Sequence, residues 1–261
     1  MSDDQVGAAA RAATLTRFDA HRRAWAENEA LRTLYRRWYG MIAAELPPRA
    51  LGLRVELGSG PGFAGELLPE VELTDVVQAP WHQRRVDAQA LPFADGSLGA
   101  LVLFDVLHHL PAPARFLAEA SRTLAPGGRL ILCEPYVSPL SYPVYRFLHE
   151  EGLDFAFDPL APPPAGEGSG EPERDPFAGN QAVPTALFMR RGEELARRFP
   201  GLRLRRLERL AGLAYPASGG LSRRPLLPLP LWRLLLAVED RLPALAYRLL
   251  GFRLFAVLDR V

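Results

Sequence analysis

The sequence contains no lysine, and all 31 of its basic residues are arginine. This absence excludes a P-loop lysine, a Schiff-base lysine and a lysine nucleophile. The 31 arginines meet 30 acidic residues, so no basic excess indicates a nucleic-acid partner. A single cysteine, Cys133, excludes an internal disulfide framework and a cysteine-rich zinc site. The five histidines show no H-x-x-x-H spacing, and we therefore expect no bound metal.

The chain also lacks a long uninterrupted apolar segment. Its most apolar stretch, residues 225–250, is broken by internal prolines, arginines and two acids. It is too interrupted to span a bilayer, although an amphipathic stretch of this kind can contact a membrane surface. The first residues are polar and contain no apolar signal core. We expect a cytoplasmic protein in which 225–250 forms core, pocket wall or a membrane-surface contact.

Strand and helix patterns alternate from residue 53 onward. Apolar runs at 53–57, 71–75, 84–88, 98–107 and 129–134 are separated by turns and helical patterns, and two later strands are predicted at 201–210 and 252–261. This alternation predicts an α/β fold with a mostly parallel sheet and helices on both faces. A helix over 112–124 is predicted to stop at Pro126–Gly127–Gly128 as its C-terminal cap.

The same changes in composition and hydrophobic pattern along the chain predict four regions. Residues 1–48 are expected to form an N-terminal helical cap, 49–150 the ligand-binding core, 151–190 a lid or insertion, and 191–261 the completion of the sheet with an apolar helical region. The third region is rich in proline, glycine and acid. Segments of this length in compact domains are usually functional lids or linkers.

A glycine-rich turn, "VELGSGPG", follows the first predicted strand. Glycines there would let the backbone approach a ligand closely. Gly60, Gly62 and Gly65 fit the dinucleotide fingerprint G-x-G-x-x-G, whereas Glu56, Gly58, Gly60 and Gly62 fit E-x-G-x-G-x-G. Placement favours the second pattern, because the strand ends at residue 57. An acid beside the glycines also suits a ligand that carries positive charge rather than a pyrophosphate.

Three further segments join this turn in a fixed order: "VDAQALPFADGSL" (86–98), "LVLFDVLHHLPAPARFL" (101–117) and "RTLAPGGRLILCEP" (122–135). With them, the chain resembles the class I, Rossmann-like methyltransferases that use S-adenosylmethionine, over about residues 50 to 137. The resemblance implies a seven-stranded, mostly parallel sheet whose last strand is antiparallel. It also implies S-adenosylmethionine as cofactor and a small-molecule acceptor, such as a sugar, a lipid-linked intermediate or a secondary metabolite.

The resemblance further implies a set of cofactor-binding residues. A ring of carboxylates would complement the ammonium, diol and amine groups of this cofactor. The implied residues are Glu56, Gly58, Gly60 and Gly62 at the methionine end, Asp75 at the ribose, Asp87 and Ala88 at the adenine, and Phe104 and Asp105 beside the reactive sulfonium. Each also has a structural interpretation, as a turn glycine, a capping acid or a turn acid.

Methyl transfer needs alignment of the acceptor and sometimes a base. The candidate bases are His109, after the fourth strand, and His149, in the "HEE" segment; packing and surface roles are the alternatives. Two other functions remain open at this point. One is a nicotinamide-dependent oxidoreductase, and the other is a non-methylating protein that keeps the S-adenosylmethionine pocket.

Overall fold

The computed structural model describes residues 3–162 and 177–261, with side chains from residue 9 onward. Seven strands form one sheet in the order β3-β2-β1-β4-β5-β7-β6. The strands are β1 (Leu53–Leu57), β2 (Glu72–Asp75), β3 (Arg84–Arg85), β4 (Leu98–Phe104), β5 (Leu124–Pro135), β6 (Leu202–Leu210) and β7 (Arg253–Arg260). β7 pairs antiparallel with both of its neighbours, and the remaining pairs are parallel. The predicted fold class is confirmed.

The order of the strands reverses between β1 and β4. From β1 the chain builds outward through β2 and β3, and from β4 it builds the other way through β5. Ligands of open α/β sheets bind in the crevice at such a reversal, beyond the carboxyl ends of the strands. The glycine turn after β1 and the residues after β4 therefore meet at this edge.

Helices and short helical turns pack around the sheet. The α-helices are α1 (Asp3–Glu27), α2 (Glu29–Glu45), α3 (Ala64–Leu67), α4 (Pro113–Thr123), α5 (Ser141–Phe147), α6 (Val183–Thr185), α7 (Gly192–Arg198), α8 (Ala214–Ala217), α9 (Leu229–Glu239) and α10 (Tyr247–Leu250). A π-helical turn covers Ala186–Arg190, and 3₁₀ turns cover Arg49–Leu51, Leu107–His109 and Ala244–Ala246. Among the described residues, none of these helices has the length and apolar character needed to cross a membrane.

The central strands are buried on both faces, and alternate residues enter two separate cores. In β4, Leu101 and Leu103 pack with α4 on one face, whereas Val102 and Phe104 pack with α2 on the other. The period-2 geometry of a strand requires this division. It explains why the central strands read as continuous apolar runs.

Three predicted boundaries are wrong. The Pro126–Gly127–Gly128 turn does not cap the preceding helix, which ends at Thr123; the turn lies inside β5. Leu98 pairs with Leu124 and Ala100 with Arg129, so the extra residues form a bulge. The strand predicted at 84–88 stops at residue 85, and the strand predicted at 98–107 stops at residue 104, where a residue of positive φ follows.

Candidate functional site

The glycine turn after β1 adopts a backbone that favours glycine. Gly58, Gly60 and Gly62 have φ values of +64°, +48° and +79°. A Cβ on Gly58 would lie 2.6 Å from Val106 Cγ2, and one on Gly62 would lie 2.5 Å from Trp81 Cδ1. A Cβ on Gly60 would meet Phe18 at an ordinary 3.5 Å. The turn is thus restricted by packing at its two ends and by φ throughout.

Asp75 at the end of β2 holds this turn in place. Its side chain is buried, with Oδ2 accepting the Gly60 N–H at 2.8 Å and Oδ1 accepting the Val77 N–H at 2.8 Å. Burial raises the pKa of Asp75, and the two backbone donors oppose the shift. The acid expected at the ribose therefore also supports the glycine turn.

Glu56 lies inside β1 and is 1% exposed. Its Oε1 accepts the Tyr39 hydroxyl at 2.8 Å, while Oε2 makes no hydrogen bond within the described part of the chain. Burial raises the pKa of Glu56 to about 7, and the nearby Ser59 and Tyr39 hydroxyls oppose this shift. Tyr39 in turn stacks on Phe104, with ring centroids 4.9 Å apart. Glu56 is a buried carboxyl with one acceptor atom left for a donor.

The segment after Asp75 and helix α1 cover the turn from outside. Trp81 Nε1 donates to the Gly60 carbonyl at 2.8 Å, and His82 Nε2 lies 2.8 Å from the same oxygen. Arg22 of α1 donates to the Pro61 carbonyl at 2.8 Å and stacks over the Trp81 ring. Sequence reasoning missed Trp81 and His82; the signal was the unusual "VVQAPWH" turn.

Asp87 and Ala88, expected at the adenine, lie in a turn after β3. Asp87 is exposed, and its Oδ1 accepts the Gln89 N–H at 2.8 Å, which turns the chain and ends the strand early. Ala88 is buried. Their contact with adenine stays a prediction.

Asp105 directly follows β4 and has a φ of +57°, which is unusual for a residue other than glycine. Its Oδ1 accepts from Arg253 Nη2 at 2.7 Å. Arg253 is 1% exposed, with Trp38 and Phe104 among the rings stacked around its guanidinium. Sequence reasoning missed Arg253, although an arginine within the apolar pattern of a buried strand was the available signal.

Glu134 at the end of β5 fixes the turn that carries the histidines. Its Oε1 accepts the Val106 and Leu107 N–H groups at 2.8 and 2.7 Å, and its Oε2 lies 2.7 Å from His108 Nδ1. The other His108 nitrogen, Nε2, lies 3.1 Å from Glu151 Oε2. Burial opposes charging of His108, but the hydrogen bonds to Glu134 and Glu151 raise its pKa to about 10.

The two candidate bases both lie beside Glu151. His109 Nε2 is 3.9 Å from Glu151 Oε1, and His149 Nδ1 accepts the Glu151 N–H at 3.3 Å. Burial and the charge of His108 lower the pKa of His109 to about 4, so it is neutral at pH 7. Burial would raise the pKa of Glu151, but its bond with His108 and the nearby histidines lower it to about 2. Glu151 is a site residue that sequence reasoning did not name.

Part of the predicted lid is described, and it packs onto this group. The side chain of Gln181 donates to Glu151, and Asn180 donates its backbone N–H to the His108 carbonyl at 2.8 Å. The Asn180 amide is occupied locally, with Oδ1 accepting the Asp154 N–H and Nδ2 donating to the Asp154 carbonyl. Residues 163–176 of the predicted lid lie outside the described residues.

Within the part of the chain that the structure describes, two groups of side chains are close enough to share a cation. His108, His109 and Glu151 form one, and Asp105, His108 and Glu134 form the other, each with ligand atoms within 4.8 Å. In both groups His108 already places its two nitrogens against carboxylates. A metal would have to displace those contacts, and the expectation of no metal stays a prediction.

Residues 55–132 match the family model described as "Methyltransferase domain". These residues hold the glycine turn, Asp75, Asp87, Asp105 and the two histidines after β4. Residues 55–132 thus match a methyltransferase domain, which confirms the family resemblance of the sequence.

Two curated proteins match shorter segments. A demethylmenaquinone methyltransferase of Renibacterium salmoninarum is 36% identical over 75 residues, which are 29% of this chain and 31% of that protein. An uncharacterized 37.1 kDa protein in transposon TN4556 of Streptomyces fradiae is 49% identical over 49 residues, which are 19% of this chain and 14% of that protein. The chain thus matches less than a third of the length of either relative.

Solved structures similar to the chain include two with high coverage. One is a geranyl diphosphate C-methyltransferase from Streptomyces coelicolor A3(2). The matched region is 92% of this chain and 84% of that protein, with 15% identity and a TM-score of 0.48. The other is a SAM-dependent methyltransferase from Archaeoglobus fulgidus. Here the matched region is 88% of this chain and 94% of that protein, with 14% identity and a TM-score of 0.49.

Proposed function

We propose that this protein is an S-adenosylmethionine-dependent methyltransferase that acts on a small-molecule acceptor. The observation that carries the proposal is the turn of three positive-φ glycines between two buried carboxyls, Glu56 and Asp75, at the reversal of strand order. The match to a methyltransferase domain over 55–132 supports it, because that match contains all of these residues. It also favours methyl transfer over the nicotinamide-dependent alternative.

The donor set fits the chemistry of the cofactor. S-adenosylmethionine supplies an activated methyl group on a sulfonium, and it also carries an ammonium, a diol and an adenine amine. Glu56 offers a buried acceptor atom, Oε2, that would take the ammonium. Gly58, Gly60 and Gly62 would let the backbone approach the methionine end.

The remaining cofactor assignments are extensions of the same proposal. Asp75 would take the ribose hydroxyls while it holds the turn, and Asp87 with Ala88 would lie at the adenine. Phe104 and Asp105 would flank the methionine end. Arg253 holds Asp105 through a 2.7 Å ion pair, and we assign it a positioning role.

The acceptor would lie beyond the ends of β4 and β5, next to Glu151. His109 is neutral at pH 7, so it can accept a proton from the acceptor. Glu151 and His108 would orient it, since Glu151 contacts both histidines. His149 is exposed at the rim of this group and is the second candidate base. The demethylmenaquinone methyltransferase from Renibacterium supports a small-molecule acceptor class by its name.

Mass spectrometry of the protein as purified tests the proposal. Under native conditions we expect bound S-adenosylmethionine or its demethylated product, and denaturation should release it. Turnover with methyl-labelled cofactor and pools of small molecules would then locate the acceptor. The variants His109→Ala and His149→Ala should each be compared with the wild type. Replacement of the base should lower turnover while the amount of bound cofactor stays the same. Co-purification of a nicotinamide nucleotide in place of the adenosyl compound would contradict the proposal.

A further inference from the structure

Helix α9 is apolar on the side that faces away from the protein. Leu231, Leu234 and Val238 are 54%, 62% and 52% exposed, and their spacing places them on one side of the helix. The opposite side is buried through Trp232 and Leu236. Amphipathic surface helices normally carry polar residues on the outer side. This helix has an apolar outer face with no described element covering it.

Neighbouring segments extend the apolar face. We call this surface the outer leucine patch; it consists of Leu226, Leu231, Leu234, Val238, Leu245 and Leu249, all of which are more than half exposed. The Tyr247 hydroxyl donates to the Glu239 carbonyl at 2.9 Å, which joins the last two short helices to the end of α9. Large exposed apolar patches mark interaction sites, whereas single exposed leucines do not.

Exposed arginines lie on the same stretch of chain as the outer leucine patch. Within 221–250, five arginines are exposed: Arg223, Arg224, Arg233, Arg241 and Arg248. Arg233 is itself paired with Glu29 of α2 at 2.5 Å, so the other four supply the positive charge. The two acids of this segment are not free to balance them. Glu239 is buried against the Ala214 N–H, and Asp240 is paired with Arg37 of α2 at 2.7 Å. The surface therefore combines exposed leucines with a net positive rim.

The segments that carry the patch contact the chain just before the candidate acceptor site. Arg223 donates to the Leu148 carbonyl at 3.0 Å, and the exposed side chains of Phe147 and Leu148 immediately precede His149. On the other side, the Leu249 carbonyl accepts the Leu140 N–H at 3.0 Å, next to the start of α5. Two hydrogen bonds thus join the segments that carry the patch and its arginines to the segment 140–148, which precedes Glu151.

We propose that the outer leucine patch docks this protein on the surface of an anionic lipid bilayer. Apolar side chains would enter the interface between headgroups and acyl chains, and the arginines would contact anionic headgroups. Charge and exposed leucines together favour this partner over an uncharged protein surface. Docking on a membrane is a different function from the proposed methyl transfer, and each of the two proposals is tested independently of the other.

Sedimentation of the full chain with lipid vesicles tests the docking. We expect binding to phosphatidylcholine vesicles that contain phosphatidylglycerol, much weaker binding to phosphatidylcholine alone, and release by salt. The double variant Leu231→Ser/Leu234→Ser should lower binding at least about tenfold. Arg224→Gln and Arg248→Gln should each lower it about fivefold. These positions are exposed, so the melting temperature should stay close to that of the wild type.

Leu204→Ser is the matched control. Leu204 is 44% exposed on the edge strand β6, between Arg203 and Arg205, and it lies outside the patch. It should leave vesicle binding unchanged. Equal binding to both kinds of vesicle, or undiminished binding of the double leucine variant, would overturn the proposal. A stable dimer in light scattering without vesicle binding would also overturn it, and would assign the patch to a second copy of the chain.

Discussion

The raised pKa of Glu56 makes a specific prediction for Glu56→Gln. In the folded protein burial raises this pKa from 4.5 to about 7, so the fold holds a proton that the unfolded chain releases. As pH rises from 4.5 through 7, the unfolded state gains stability relative to the fold, and the free energy of unfolding falls. Between pH 5 and pH 8 this single group should remove about 2 to 3 kcal/mol.

The glutamine variant lacks this titration. Its amide oxygen can still accept the Tyr39 hydroxyl, whereas its NH₂ group occupies the place of Oε2, which has no described partner. This buried NH₂ group without a hydrogen-bond partner lowers the stability of the variant by the same amount at every pH. It therefore does not affect the comparison of the two pH curves. Between pH 5 and pH 8, the free energy of unfolding of the variant should therefore rise by about 2 to 3 kcal/mol relative to that of the wild type. Urea unfolding at a series of pH values measures both curves.

A matched variant tests whether this effect is tied to the cofactor. Glu239 is also buried, with its pKa raised by burial, but it supports the Ala214 N–H instead of the glycine turn. We expect Glu56→Gln to weaken S-adenosylmethionine binding at least about tenfold and Glu239→Gln to leave it unchanged. Parallel unfolding curves for wild type and Glu56→Gln across this pH range would refute the reasoning.

Three further substitutions and one control variant test the turn and the histidine group. Gly58→Ala should cost more stability than Gly60→Ala, because its Cβ would lie 2.6 Å from a side chain whereas that of Gly60 meets an ordinary contact. Gly40→Ala, on the exposed side of α2 with open space around it, is the control and should gain about 0.5 to 1 kcal/mol in thermal or urea unfolding. Glu151→Gln should cost about 1 to 3 kcal/mol at pH 7 and lower the pKa of His108 in an NMR titration. Its cost should shrink between pH 4.5 and pH 2, because the unfolded chain binds this proton near pH 4.5 and the folded carboxylate binds it only near pH 2; an unchanged His108 pKa would contradict the assigned pair.

Local sequence patterns were sufficient for most of the fold. Strands such as β4 are continuous apolar runs with both faces buried, so their period and length identify them. The Pro126–Gly128 turn is an exception, because local sequence patterns did not predict its structure. Proline and glycine indicate a break, but whether the break ends a helix or bulges a strand depends on pairing with β4, which the sequence does not display.

The candidate site was predicted where a motif is contiguous and missed where it is assembled over long distances. Glu56 and the glycines lie within one turn, so their order and spacing suffice. Arg253 meets Asp105 from 148 positions away, and Glu151 meets His108 from another segment. Such contacts depend on which strands become neighbours, and β7 lies between β5 and β6 only through a long connection.

Calorimetric titration with S-adenosylhomocysteine and with NADH, at pH 7.5, tests the central claim most directly. We expect micromolar binding of the adenosyl compound, about −8 kcal/mol, and no binding of NADH. Binding should also release protons, because an ammonium beside Glu56 lowers the pKa of a carboxyl that is about 7 in the free protein. Titrations in buffers of different ionisation enthalpy would reveal this release, and Glu56→Gln should abolish it. Folded protein that gives no heat with the adenosyl compound, or that binds NADH instead, would contradict the account.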